Sequence, residues 1–269
     1  MIRLSQSIWG FERFSDSHIV SFSTSRHGGV GKGAYSSFNI TPYTNDNPNA
    51  VRVNRAILCD YLQIPDSRLI LPFQTHGCNI CAIDANFIHK TGDAQMQLLQ
   101  QIDALVTDEC MVCIAVSTAD CIPILLYDPV CKVVAAVHAG WRGTVKGVVS
   151  ETIRFMQADY GVSPSNLRAA IGPGISLKAF EVGEEVYEIF RNSGLFDMTS
   201  ISYKNSETGK YHIDLPEANR ILLQTSGVNR DLIEMSGICT YTSCDEFFSA
   251  RRLGVNSGRI LTGIMLLNN

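Results

Sequence analysis

A chain of 269 residues, 45% hydrophobic and 18% charged, has the composition of an ordinary globular protein, and at this size roughly three quarters of the unfolded surface is buried on folding. The net charge of −4 excludes a general attraction for nucleic acid or an anionic membrane, although a local basic cluster can still hold an anion. The opening MIRLSQSIWGFERFSDSH is interrupted by Arg3, Glu12, Arg13 and Asp16, and no stretch reaches the roughly 18 apolar residues of a membrane span, so a cytoplasmic protein is expected. Nine cysteines, an odd set scattered through apolar text, fit reduced thiols rather than a disulfide scaffold.

In chain order, HIVSFST (18–24) reads as a strand, and GGVGKGA (28–34) imitates a phosphate loop. The imitation fails because Lys32 is followed by Gly33 rather than Ser or Thr, and the position five before Gly31 is Arg26. Gly29, Gly31 and Ala34 fit a loose dinucleotide fingerprint, but YSSFNITPYTNDNPN is a poor helix start. The better reading is a turned loop beside a site, presenting Arg26 and Asn39. A helix is expected over 50–62, and strands over 69–73 and 78–84 flank the loop Gln74-Thr75-His76-Gly77. Cys78-x-x-Cys81 and Cys110-x-x-Cys113 resemble zinc-ribbon pairs, but they lie in apolar runs, their gap is too long, and residues i and i+3 of a strand face opposite sides. Further strands are expected over 103–107, 111–117, 122–127, 132–138, 167–172 and 233–239, and helices over 144–159, 182–192 and 215–226. Without regular alternation, these elements predict an α/β (α+β) single domain over 1–269, a mixed β-sheet with flanking helices.

The centre of the chain is STADCIPILLYDPVCKVVAAVHAGWRG (117–143). Its two apolar runs, either side of Asp128-Pro129, read as a hairpin. A turn centred near Pro129 and Val130 pairs Cys121 with His138, and paired side chains sit about 4.5–5.5 Å apart. That separation suits two ligands of one metal or a thiol with its base. A buried small hydrophobe beside a satisfied core histidine explains the same pair equally well. Of six histidines, His76 has the most loop-like placement, with Gly77 after it. Joined to the pair, it gives a Cys-His-His set with an open fourth position, the arrangement of a catalytic zinc site.

STSRHGGVGKGAYSSFNI (23–40), QTHG (74–77), DALVTD (103–108), TADCIPILLYDP (118–129), VVAAVHAGWRGT (133–144), IGPGI (171–175), FEVGEEV (180–186) and CTY with FFSARR (239–252) together resemble the bacterial laccase-domain family. The resemblance spans about residues 20–265; TADC with HAGWRG is its most specific part. It implies the laccase-domain fold and a Zn2+ site on His76, Cys121 and His138, with Cu2+ as the alternative ion. It also implies a purine nucleoside phosphorylase: adenosine or inosine and phosphate go to free base and ribose 1-phosphate, with methylthioadenosine cleavage and adenosine deamination as related activities. Gly31, Ala250 and Leu253 depart from the common family pattern and affect the rim rather than the triad.

Arginine's planar fork matches phosphate, which makes Arg26, Arg142 and Arg251, with Asn39, the candidate substrate contacts. Phe247 and Phe248 are candidates to stack a purine, or else a buried pair. Asp103, Asp120 and Glu181 cannot be ranked as proton donors from sequence. Three rival readings stand beside the phosphorylase. A copper polyphenol oxidase uses the same donors, but six histidines cannot furnish a four-copper cluster. Cys121 with His138 as base makes an amide hydrolase acting in peptidoglycan-precursor editing. A metal-buffering protein would bind zinc without turnover.

Overall fold

The computed structural model describes residues 1–14, 16 and 18–268. Two six-stranded sheets and a small third one form the framework. The first sheet runs in the order Ile2–Arg3, Ile8–Gly10, Ile19–Thr24, Ile260–Leu266, Cys113–Thr118, Leu69–Ile70. The second runs Ile233–Met235, Arg168–Ile171, Ile122–Asp128, Val133–Ala139, Ala104–Thr107, Ile80–Ala82. Each mixes parallel with antiparallel pairs, so the mixed α/β class expected from sequence holds. The single sheet expected there is three, the two large ones and a small one of Glu181–Val182, Tyr211–Ile213 and Ser202–Lys204.

Alternation along one strand shows how the layers stack. In Val133–Ala139, Val133, Ala135 and Val137 join a core with the helices Val148–Tyr160 and Leu215–Thr225. Val134 and Ala136 join a second core with Ile114, Val116 and Ile264 of the other sheet. The outer face of that sheet, carrying Phe22, Ala115 and Met265, packs on Leu58 and Leu62 of the helix Pro48–Leu62. The order is therefore helix, sheet, sheet, helices. A strand covered on both faces reads as an unbroken apolar run, as CIPILLY and VVAAVHA do.

The helix boundaries have local causes. Asn47 caps Pro48–Leu62 by accepting from the amides of Asn49 and Ala50, and Pro48 sits where no amide is needed. The one helix expected over 144–159 is two, Trp141–Val145 and Val148–Tyr160, because Gly147 between them is left-handed at φ 74°. The glycine loop is self-satisfied: the Gly29 amide donates to Ser37 Oγ, Val30 to Asn54 Oδ1 and Gly31 to the Ser37 carbonyl. A Cβ on Gly29 or Gly31 would lie 2.4 or 2.5 Å from a backbone oxygen, so glycine is required there for packing rather than for phosphate.

Leu125 lies fully buried between the two sheets. Leu125→Ala should lower the unfolding free energy by about 2–5 kcal/mol with the urea m-value unchanged, as read from equilibrium denaturation.

Candidate metal centre

Both loop-borne candidate ligands lie where the chain crosses from one sheet to the other. His76 sits between Leu69–Ile70 of the first sheet and Ile80–Ala82 of the second; Cys121 sits between Cys113–Thr118 and Ile122–Asp128. His138 occupies the penultimate position of Val133–Ala139. The two crossings and the strand end meet at one edge of the sandwich.

The hairpin register differs from expectation. The last pair is Asp128 with Val133, so the turn holds four residues, Pro129 to Lys132, and His138 faces Pro123 rather than Cys121. Asp128 causes this, accepting from the amides of Val130 and Cys131 at 2.7 and 3.0 Å and widening the turn. The offset is two residues, and an even offset keeps both side chains on the same face. Extending the register places Gly140 opposite Cys121. A Cβ there would lie 2.5 Å from His76 Cδ2 and 3.1 Å from Cys121 Sγ, so only glycine leaves room for the triad.

The donor atoms of His76, Cys121 and His138 all lie within 4.8 Å of one another, and Cys121 Sγ is 3.6 Å from His76 Nε2. Tetrahedral bonds of about 2.0–2.3 Å put donors about 3.3–3.8 Å apart, so the set needs only a small contraction to hold an ion. It is the one such group of three among the described residues.

Asp103, fully buried, organises the triad. Its Oδ1 accepts from His138 Nδ1 at 2.8 Å and from the His76 amide at 2.9 Å; its Oδ2 accepts from the amides of Gly77 at 2.7 Å and Thr75 at 3.3 Å. Bonding at Nδ1 makes His138 Nε2 the nitrogen that a metal would take on displacing its proton, and the amide bonds hold His76 at φ 61°, an uncommon conformation for a residue with a side chain. Burial raises the Asp103 pKa, but the hydrogen bond and charge of His138 and the amides of Gly77 and Thr75 outweigh it and leave the carboxyl below its ordinary value. Burial also raises the Cys121 thiol, yet the charge of His138 and hydrogen bonds from His138 and His76 bring it down to about 6. Burial lowers His138, while the Cys121 charge and the Asp103 hydrogen bond lift it to about 9.

A cleft of about 360 Å³ opens over the triad, lined among others by Tyr43, Phe73, Thr118, Ala250, Val255 and Arg259. Tyr43 and Phe73 stand edge to face with ring centroids 5.2 Å apart, and both are exposed. Arg259 is the one guanidinium lining the cleft among the described residues. Burial lowers its pKa while the charges of Cys121 and Asp120 oppose that, and an arginine remains charged throughout. Its Nη1 donates to the carbonyls of Ser257 and Gly258 and its Nη2 to that of Val255, which fixes the fork and leaves Nε uncommitted among the described residues.

The other expected contacts lie further out. Arg26 donates to the carbonyls of Ser36 and Cys244 and covers the Phe248 ring at 4.9 Å. Asn39 is buried, donating to Thr44 Oγ1 and Asp46 Oδ2 while its Oδ1 accepts from the Arg259 amide at 3.1 Å. Arg142 is exposed and stacks on Trp141 at 4.2 Å; Arg251 is exposed and donates to the Glu181 carbonyl at 3.0 Å. Phe247 and Phe248 are 1% and 0% exposed and pack with Ala119 and Ile260, so the stacking expected of them is closed to a ligand. Sequence reasoning missed Arg259 and the Tyr43–Phe73 pair, whose only signals were a lone arginine before an apolar run and two isolated aromatics.

Residues 20–267 match the family model described as multi-copper polyphenol oxidoreductase laccase. The chain is 48% identical to a purine nucleoside phosphorylase of Bacteroides thetaiotaomicron, over 96% of this chain and 95% of that one. It is 42% identical to adenosine deaminase RL5 of an unidentified prokaryote, over 91% and 93% respectively. The crystal structure of the Bacillus licheniformis hypothetical protein YfiH superposes with a TM-score of 0.91 at 28% identity, covering 98% of both chains.

In metal-free protein, alkylation of Cys121 followed by peptide-resolved mass spectrometry should rise with a midpoint near pH 6, since the thiol is protonated and unreactive below its pKa of about 6. Asp103→Asn weakens the support for the His138 cation and should move that midpoint upward. A midpoint near 8.5, the value of a free thiol, would contradict the pairing.

Proposed function

The chain belongs to the multi-copper polyphenol oxidoreductase laccase family, and from that membership and the make-up of the cleft we propose a zinc-dependent purine nucleoside phosphorylase that cleaves adenosine or inosine to free base and ribose 1-phosphate. The observation that carries this reading is the meeting, in one cleft, of a three-donor set, a fixed guanidinium and an exposed aromatic pair. Phosphorolysis needs an anion held against the anomeric carbon while an oxocarbenium-like sugar forms, and it needs a flat apolar face for the base. A bound zinc supplies Lewis acidity and a template for an oxygen ligand.

The chain's own residues do the rest. His76 and His138 present Nε2 and Cys121 its thiolate, oriented by Asp103. Arg259, with Nε facing no acceptor among the described residues, is assigned to the phosphate. Tyr43 and Phe73 are assigned to the purine. Arg142 and Arg251 are placed at the rim. Arg26 is placed in the scaffold, and Asn39 acts through the Arg259 backbone. Asp103 and Asp120 are both committed as acceptors, so neither is the acid that protonates the leaving base.

The family description names copper, and a Cys-His-His set also suits that ion. Zinc is preferred because the other four histidines, His18, His27, His89 and His212, belong to no second group of three potential ligands among the described residues. A multicopper centre needs further histidine clusters.

Zinc-loaded protein should release hypoxanthine and ribose 1-phosphate from inosine only when phosphate is present. Release without phosphate would mean hydrolysis, and catechol oxidation by copper-loaded protein with no nucleoside turnover would favour the oxidase. Cys121→Ser should lose most of its metal and fall to about 1% of turnover or less. Phe73→Ala should raise KM about tenfold with kcat nearly unchanged, as loss of a stacking contact worth about 1–3 kcal/mol requires.

A further inference from the structure

Asp120 precedes the sulfur ligand and is backbone-strained, with φ at 87°, in a region that non-glycine residues seldom adopt. It is only 9% exposed, and three hydrogen bonds hold it. Its Oδ1 accepts from Thr240 Oγ1 at 2.7 Å, its Oδ2 from the Arg251 amide at 2.6 Å, and its carbonyl from the Ile175 amide at 2.8 Å. Each partner is anchored in turn. The Thr240 amide donates to the Gly174 carbonyl at 3.0 Å, and the Gly174 amide to that of Ile238 at 3.2 Å. A Cβ on Gly174 would lie 2.4 Å from Ile122 Cδ1 and 3.2 and 3.3 Å from the carbonyls of Asp120 and Cys121, so this loop lies flat against the kink.

The Arg251 bond reaches the cleft itself. Ser249 caps the short helix Ala250–Leu253 by accepting from the Arg252 amide, which leaves the Arg251 amide for Asp120. Ala250 and Val255, on either side of that helix's middle, line the cleft, and Arg259 follows on the same segment. One carboxylate therefore joins the peptide that aims Cys121 to the segment that walls the substrate space.

We propose that Asp120 is a positioning residue that holds the Cys121 sulfur in its ligating direction and couples it to the 249–259 wall. The inference rests on the reading of His76, Cys121 and His138 as metal ligands. A plain fold-stabilising role predicts a lower Tm with the ligand geometry intact; a positioning role predicts that the metal's environment and its retention change.

Cobalt-substituted wild type, Asp120→Asn and Thr240→Val are compared by the thiolate-to-cobalt charge-transfer band, by the rate of metal loss to a chelator, and by the split of KM and kcat on inosine. Asparagine tolerates the left-handed backbone, but its amide nitrogen cannot accept, so one of the two side-chain bonds is lost. Folded Asp120→Asn should shift or weaken the band, release metal about 10–100 times faster, and raise KM as the wall loosens. Thr240→Val, which removes one donor without touching the ligand segment, should move all three in the same direction by less. A wild-type band and release rate in folded Asp120→Asn would overturn the inference. If that variant does not fold, wild-type behaviour of Thr240→Val does so instead. Absence of the band from cobalt-loaded wild type would be a different failure, that of the ligand assignment itself.

Discussion

The site depends on the four hydrogen bonds accepted by one buried carboxylate. Asp103 takes the imidazole N–H of His138 and three successive amides from Thr75 to Gly77, so one side chain sets a tautomer and closes a loop. An ionised carboxylate with no exposed surface is unfavourable unless its lone pairs are filled. Here they are filled by groups that the site itself requires. Removing the carboxylate would free the His76 loop, leave His138 Nδ1 without its partner and withdraw the charge that supports an imidazolium beside the Cys121 thiolate.

Architecture explains why these residues meet. A sandwich of two sheets needs crossings at its ends, and crossings are where the backbone is free of ladder hydrogen bonds and can take unusual angles. His76 and Asp120, both at positive φ, sit on two such crossings. The strands flanking the second crossing, Cys113–Thr118 and Ile122–Asp128, are buried almost throughout and so fix its ends. Packed layers below and strained turns above set the positions of the candidate ligands.

Much of this was legible in the sequence, and the failures have physical sources. The strands about the central hairpin were readable because turn residues bound unbroken apolar runs, and the face shared by Cys121 and His138 survived a register slip of two. That slip could not be read, because it depends on Asp128 capping its own turn. The strand Ile260–Leu266, central to the first sheet, went unassigned; Gly263 interrupts its pattern. That glycine exists because a Cβ there would lie 2.9 Å from both Ala115 Cβ and the Phe22 ring, a constraint visible only once three strands are assembled. The same holds for Arg259, whose exposure to the cleft follows from Asn39 gripping its amide across 220 residues of chain. FFSARR drew attention to Phe247 and Phe248, yet an aromatic pair gives no sign of whether it faces a ligand or a core.

A cleft proposed to take an anion, with two carboxylates beside it, poses an electrostatic problem. Unit charges a few ångströms apart in a half-buried cleft repel by several kcal/mol at an effective dielectric near 20. The N–H and O–H dipoles from which Asp103 and Asp120 accept offset part of the repulsion that either would exert on the proposed phosphate. Among the described residues Arg259 carries the one guanidinium lining the cleft, and an ion held by His76, Cys121 and His138 would add positive charge that the Cys121 thiolate offsets in part. A neutral phenol would gain little from that positive charge, whereas the proposed phosphate-dependent reaction would draw on it.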